Sequence, residues 1–219
     1  MAEGLRQESD EAGVAVQPVK AAYDSLATEY EHRWGKYIDV TLAKVTDALT
    51  LEGSERILDV ACGTGELERR LFARWPRLKI TGVDLSPEML ARAREKQLRG
   101  DVFWMEGDAS NLTAVNGPFD ILICANSFHC FPEPAHCLEE FRRNLTPGGS
   151  LVLVDWCDDY LMCKLCSIWL KLTDPAFYRT YTLRSCRELL TAAGFQVTHG
   201  ERFRACWPWG MMLFVCQTA

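Results

Sequence analysis

Ile57-Leu58-Asp59-Val60-Ala61-Cys62-Gly63-Thr64-Gly65 is an apolar strand that carries an acid near its end and opens into a glycine-rich turn. Nineteen residues after Gly65, Asp84 closes a second apolar run, Lys79 to Val83. Each part has a physical use. Glycine has no Cβ, so a ligand can rest directly on the backbone where strand turns into helix. An acid at the tip of the next strand can accept both hydroxyls of a ribose. The pattern implies a nucleoside-containing ligand held across the carboxyl ends of a parallel sheet.

The glycine spacing says which kind of nucleoside. A dinucleotide turn runs G-x-G-x-x-G and seats a pyrophosphate on the helix N-terminus. Here the third position is Glu68, and Glu66 directly follows Gly65. Two carboxylates in the first helical turn suit the helix dipole but repel a pyrophosphate. This counts against a nicotinamide-dependent oxidoreductase, which tight nicotinamide dinucleotide binding would be needed to revive, and favours a cofactor with a cationic centre and no phosphate. On these residues the sequence resembles the class I S-adenosylmethionine-dependent methyltransferases, especially their small-molecule and quinone-type branch, over roughly residues 20 to 217.

The rest of the chain has the matching order. Tyr23, Leu26 and Tyr30 fall at helical spacing, as do Ile38, Leu42, Val45 and Leu49. Strands are expected at Arg56 to Val60, Lys79 to Val83, Val102 to Met105, Phe119 to Ala125 and Ser150 to Asp155. Between them lie helical stripes: Leu67 and Leu71; Met89, Leu90 and Ala93 behind a Ser86-Pro87 cap; Leu138, Phe141 and Leu145. Thr182 can cap a further helix that Gly194 stops. Two strand-like runs follow, Phe195 to Phe203 and Gly210 to Gln217. Strands alternating with helices imply right-handed crossovers. The expected fold is α/β: a doubly wound, mostly parallel seven-stranded sheet, with the antiparallel C-terminal strand of the methyltransferase resemblance. Residues 1–19, acidic and polar, read as a flexible tail; 20–219 read as one domain, with 156–181 as an acceptor-binding lid.

The resemblance assigns roles residue by residue. Asp59, Ala61, Gly63 and Gly65 would line the methionine half of S-adenosyl-L-methionine, with Asp59 or a neighbouring carbonyl receiving its ammonium group. Asp84 would accept the ribose hydroxyls, and Leu85 and Met89 would pack near the adenine. Asp108 would accept from the adenine amino group, and the Ala109 N–H would donate to the ring. Asn126 would sit beneath the sulfonium, and Tyr23 and Tyr30 would close over the methionine tail. His129 matches a histidine of the quinone-type branch and is the candidate general base, its ordinary pKa lying near neutrality. Where that branch often has an aromatic next to it, this chain has Cys130. Trp156, Tyr160, Trp169, Tyr178 and Tyr181 are the candidate acceptor-binding residues. A segment so rich in apolar surface suits a lipophilic or aromatic small molecule, or a partner surface.

Two alternatives remain open in the sequence. Cys157, Cys163 and Cys166 could bind a soft ion or serve a metalloid or thiol methyltransferase. The chain could also be a non-catalytic module that binds the cofactor and presents the lid to a protein. The net charge of −6 and the absence of a basic stripe argue against nucleic acid. So does the loop after the fourth strand, which lacks an Asn/Asp-Pro-Pro-aromatic run. The ten cysteines and the polar N-terminus favour reduced thiols and a cytoplasmic protein. No apolar run is long enough to span a bilayer, and no metal is called for.

Overall fold

The computed structural model describes residues 16–218. Helix α1 (16–26) precedes α2 (Tyr30–Ala48), and the sheet then alternates with helices: β1 (Arg56–Val60), α3 (Glu66–Arg74), β2 (Lys79–Asp84), α4 (Pro87–Glu95), β3 (Asp101–Glu106), β4 (Phe119–Ala125), α5 (Pro134–Asn144), β5 (Leu145–Trp156). The chain ends with α6 (Leu161–Thr173), α7 (Leu183–Ala192), β6 (Phe195–Cys206) and β7 (Trp209–Thr218). The seven strands lie in the order β3-β2-β1-β4-β5-β7-β6. β1 to β5 are parallel, and β7 runs antiparallel between β5 and β6.

Alternation along the central strands builds two cores. Leu58 and Val60 of β1 join Leu122 and Cys124 of β4 and Leu153 of β5 on one face, under Phe141 of α5 and Leu190 of α7. Ile57, Ile121, Ile123 and Val152 point to the other, under Leu42 and Val45 of α2 and Leu71 of α3. Strands covered on both faces are mostly apolar, as the Ile57-Leu58 and Ile121-Leu122-Ile123-Cys124 runs of β1 and β4 are. The strand order reverses between β1 and β4, and the crevice at a parallel sheet's carboxyl edge opens there.

Local chemistry sets the helix starts that frame this crevice. Ser86 caps α4, its Oγ accepting from the Met89 N–H at 3.1 Å ahead of Pro87. Thr182 and Ser185 form a reciprocal cap on α7. Gly65 begins α3 at φ +75°, and a Cβ there would lie 2.7 Å from Cη2 of Trp104. The turn therefore needs glycine for both its left-handed backbone and its contact with β3.

Beyond shifts of one to three residues at strand ends, such as β6 running to Cys206, three differences from the sequence expectation have a local cause. Residues 1–15 of the expected tail lie outside the described residues, but 16–19 already belong to α1, where Val19 is buried. The stripe through Tyr23, Leu26 and Tyr30 is broken by a turn at 27–29, where the Glu29 N–H donates to the Leu26 carbonyl at 3.0 Å. β5 begins at Leu145 rather than Ser150, because Leu145 pairs with Phe119 before an irregularity in the β4–β5 register.

Candidate active site

Beyond β1 the backbone turns sharply. Ala61 (φ 59°) and Gly63 (φ 57°) are both left-handed, and the Cys62 N–H donates to the Val83 carbonyl at 3.1 Å. Asp84, at the tip of β2, accepts from the Gly63 N–H at 2.7 Å and the Ser86 N–H at 2.9 Å. Burial pushes its pKa up to about 6 against the pull of those two donors. One carboxylate thus braces both glycine turn and helix cap at the floor of a cavity of about 480 Å³.

That cavity contains most of the expected cofactor set. Tyr23, Tyr30, Ala61, Gly63, Asp84, Leu85, Met89, Asp108, Ala109 and Asn126 all line it. Asp108 also accepts from the Ser110 N–H at 2.8 Å, an Asx-turn that fixes its loop. The other wall is α1, which contributes Val16, Val19, Lys20 and Tyr23. It is fastened to the β2 tip: Lys20 Nζ donates to the Leu85 carbonyl at 3.2 Å and to Glu106 at 3.2 Å, and Ser86 Oγ donates to Asp24 at 2.6 Å.

Asp59 and Gly65 are not in this wall. Gly65 lies against Trp104, and Asp59 faces Glu68 of α3 in a buried site behind the turn. Neither Glu68 oxygen meets an N–H or hydroxyl among the described residues. Two carboxyls in such a place cannot both ionise, so the pair holds a proton. Burial and the Glu68 charge raise Asp59 well above the carboxylate range, while burial takes Glu68 to about 7.

A second cavity, of about 110 Å³, shares Tyr23, Tyr30, Asn126 and Cys130 with the first. Between the two stands Asn126, itself left-handed at φ 62°. Its Oδ1 accepts from the Tyr37 hydroxyl at 2.8 Å, and its Nδ2 donates to Thr41 Oγ1 at 2.9 Å. Trp156 Nε1 donates in turn to the Tyr37 hydroxyl at 2.8 Å. Every polar atom of the Asn126 amide group is thus held by α2, which orients the partition between the cavities.

His129 lines the smaller cavity. Its Nδ1 lies 2.7 Å from Asp155 Oδ1, and its backbone N–H donates to Asp155 Oδ2 at 2.7 Å. The ring stacks on Trp156 with centroids 3.9 Å apart, and Trp156 stacks in turn on Trp209 at 4.5 Å. Burial alone would lower the imidazole pKa; the Asp155 carboxylate and the Cys130 side chain outweigh it and hold the value well above the ordinary one. Phe177 completes an apolar, aromatic wall.

The remaining acceptor candidates are spread out. Trp156 lines the smaller cavity. Tyr178 packs with the small cluster of Val19, Cys130 and Ala176 next to it. Tyr160 sits under Gly210 and the Arg204 guanidinium, Tyr181 is buried in the core beneath Phe128, and Trp169 faces solvent from α6. None of these three is in either cavity wall. Sequence reasoning missed Tyr37, Asp155 and Trp209; Phe177, which lines the smaller cavity, falls inside the expected 156–181 lid. For Asp155 a signal existed: like Asp59 and Asp84, it is an acid near the end of a parallel strand.

The lid thiols sit in surroundings that favour their protonated form. Burial pushes Cys157 up to about 11 and Cys163 to about 12, which keeps both protonated at neutral pH. Among the described residues no group of three or more His, Cys, Asp or Glu side chains could hold a metal ion.

The buried acids make stability depend on pH with a definite sign. Asp84 and Glu68 would ionise near pH ~4 in the unfolded chain, so through pH 4 to about 7 the folded chain binds more protons and loses stability as pH rises. His129 adds the same sign: its ion pair is fully present below the ordinary histidine pKa and is lost as pH rises through the elevated one. The ligand-free protein should therefore melt several degrees higher at about pH 6 than at about pH 8.5. A calorimetric scan series that rises with pH would contradict this assignment.

Residues 57–149 match the family model described as "Methyltransferase domain". Over 105 residues the chain is 42% identical to the demethylmenaquinone methyltransferase of Deinococcus radiodurans, covering 46% of this chain and 43% of that protein. It is 33% identical over 145 residues to the protein of the same name from Chlorobaculum tepidum, covering 63% and 59%. The chain thus spans about half the length of the curated relatives it matches. Among solved structures, a chain from the complex between the Trm112 methyltransferase activator of Haloferax volcanii and its methyltransferase superposes with a TM-score of 0.80 at 20% identity, covering 91% of this chain and 97% of that one. That likeness is one of fold, and the seven-stranded order is the Rossmann-like methyltransferase sheet.

Proposed function

We propose that this chain is a class I S-adenosylmethionine-dependent methyltransferase and that it methylates a small, lipophilic, hydroxyl-bearing aromatic acceptor of the quinol kind. The observation that carries the reading is the pair of cavities meeting at Asn126, one built for a nucleoside and the other walled by aromatic rings around His129. The names of the Deinococcus and Chlorobaculum relatives support the quinol class.

The larger cavity fits the cofactor. Asp84 offers two carboxylate oxygens to ribose hydroxyls, Leu85 and Met89 an apolar slot for the base, and Tyr23 and Tyr30 a cover over the tail. When bound, S-adenosyl-L-methionine supplies an electrophilic methyl group. The protein's share of an in-line displacement is alignment and exclusion of water. Tyr37 and Thr41 fix Asn126, and α1 closes the cofactor side. The stacked Trp156 and Phe177 set the plane of a flat acceptor. His129 takes the acceptor's hydroxyl proton, and Asp155 and the face of Trp156 stabilise the imidazolium that results.

The chain's thiols, unpaired throughout the described residues, support a reducing compartment such as the cytoplasm. No helix among the described residues is long and apolar enough to cross a membrane.

The test is incubation with methyl-labelled S-adenosyl-L-methionine and a series of hydroquinones and naphthoquinols. Label in the organic phase, dependent on an intact acceptor hydroxyl or ring carbon beside it, is the expected outcome. Cofactor binding without transfer to any of them would replace this reading with that of a binding module.

A further inference from the structure

Helix α6 has its apolar side facing water. Cys163 and Ser167 are its buried residues. Leu161, Leu165, Ile168, Trp169 and Leu172 stand exposed by 71, 51, 55, 62 and 83%. At helical spacing these five occupy an arc of about 100°, centred opposite Cys163. Singly exposed apolar residues are ordinary, but a continuous stripe along a whole helix is not.

The charges on the helix itself have one sign. Lys164 and Lys171, seven residues apart, flank it on one side, and α6 has no acid although the whole chain carries −6. The acids that border the helix are engaged elsewhere. Asp158 accepts from Thr180 Oγ1, Asp159 accepts from the Leu183 N–H and faces Arg202, and Asp174 accepts from the Ala176 N–H. At the N-terminal end, Tyr160 is covered by Gly210 and lies 5.0 Å from the Arg204 guanidinium. The β6–β7 turn next to it carries Trp207, exposed by 77%.

Leucine, isoleucine and tryptophan on one face, flanked along the helix itself by lysine alone, is the composition of a helix that lies in a lipid–water interface. Anionic headgroups would satisfy the basic rim. A protein partner would be expected to find hydrogen-bonding groups and mixed charge along such a stripe; α6 itself has no acid, and the acids at its two ends are already engaged. We propose that α6 is a peripheral membrane-docking helix, which seats this face of the protein on an anionic lipid bilayer with Trp169 and Trp207 at headgroup level. Asp174, Ala176 and Phe177, which follow α6 directly, line the smaller cavity. Docking would therefore bring that cavity to the bilayer surface.

The experiment is sedimentation of the full chain with large unilamellar vesicles, either of phosphatidylcholine alone or of phosphatidylcholine mixed with phosphatidylglycerol. The expected result is co-sedimentation with the mixed vesicles and a blue shift of tryptophan emission. Leu165→Glu and Leu172→Glu replace solvent-facing side chains, so melting should be unchanged while partitioning falls by on the order of tenfold or more. K164E/K171E should abolish the preference for the anionic mixture. Absence of co-sedimentation with both vesicle types overturns the proposal, as does unchanged partitioning of L165E. A solution dimer that L165E dissociates would also overturn it, since a second copy would then cover the stripe. None of these readouts needs turnover, so failure here is distinct from failure to methylate a water-soluble quinol.

Discussion

Asp84→Ala should bind S-adenosyl-L-methionine about a hundredfold or more weakly, because two hydrogen bonds to an ionised acceptor carry about 1.5–3 kcal/mol each. The carboxylate is buried and already accepts the Gly63 and Ser86 N–H groups, so it is pre-aimed and its loss also slackens the glycine turn. Asp84→Asn separates these effects, since its carbonyl oxygen can keep one backbone donor. It should stay folded and recover only part of the affinity. Titration calorimetry with a melting scan on each variant reads both quantities. Because Asp84 titrates at about 6, wild-type affinity should itself decline on acidification below about pH 6. The ligand-free fold becomes more stable over the same interval, and opposite trends in binding and stability are the signature of this one group. Unaltered affinity in Asp84→Ala would remove it from the cofactor site.

His129→Ala should lower the rate of methyl transfer by about two to four orders of magnitude, the usual contribution of a positioned base, with cofactor affinity within a few-fold of wild type. The backbone N–H of residue 129 still donates to Asp155 in this variant, so the buried carboxylate is not left bare. The pH profile separates a chemical from an architectural role. With its pKa held above the ordinary value by the Asp155 carboxylate, His129 must lose a proton before it can act as a base, so the rate should climb with pH and level off above the range of a free imidazole. Asp155→Asn removes the main support of the imidazolium. The ascending limb should then move to lower pH while the plateau falls. A profile that does not move in Asp155→Asn, together with a normal rate in His129→Ala, would leave the pair a purely structural tie between β5 and the loop after β4.

How much of this could be read from the chain follows from which residues carry a local signal. The strands were legible because β1, β2 and β4 are apolar on both faces and stop at acids or turn residues. The ribose carboxylate was legible because its position at a strand tip is a matter of spacing alone. The turn that separates α1 from α2 was not: Ala27-Thr28-Glu29 contains neither glycine nor proline, and the helical stripe runs through it. The tie of His129 to Asp155 spans 26 residues and depends on β4 and β5 being neighbours in space. Asp59 was read as an open acid because nothing local marks Glu68 as its buried partner. α6 was hardest, since periodicity identifies an inner face only when the outer one is polar, and here the outer face is the more apolar.

The fastening of α1 has a kinetic meaning. Lys20 and Asp24 bind this helix to the tip of β2, and Val19 and Tyr23 roof the space beneath it. A nucleoside seated there cannot exchange with solvent on that side until those bonds let go. If that space holds the cofactor as proposed, release of S-adenosylhomocysteine would be a gated event in series with each turnover, and the opening frequency of one short helix would set a ceiling on the catalytic rate.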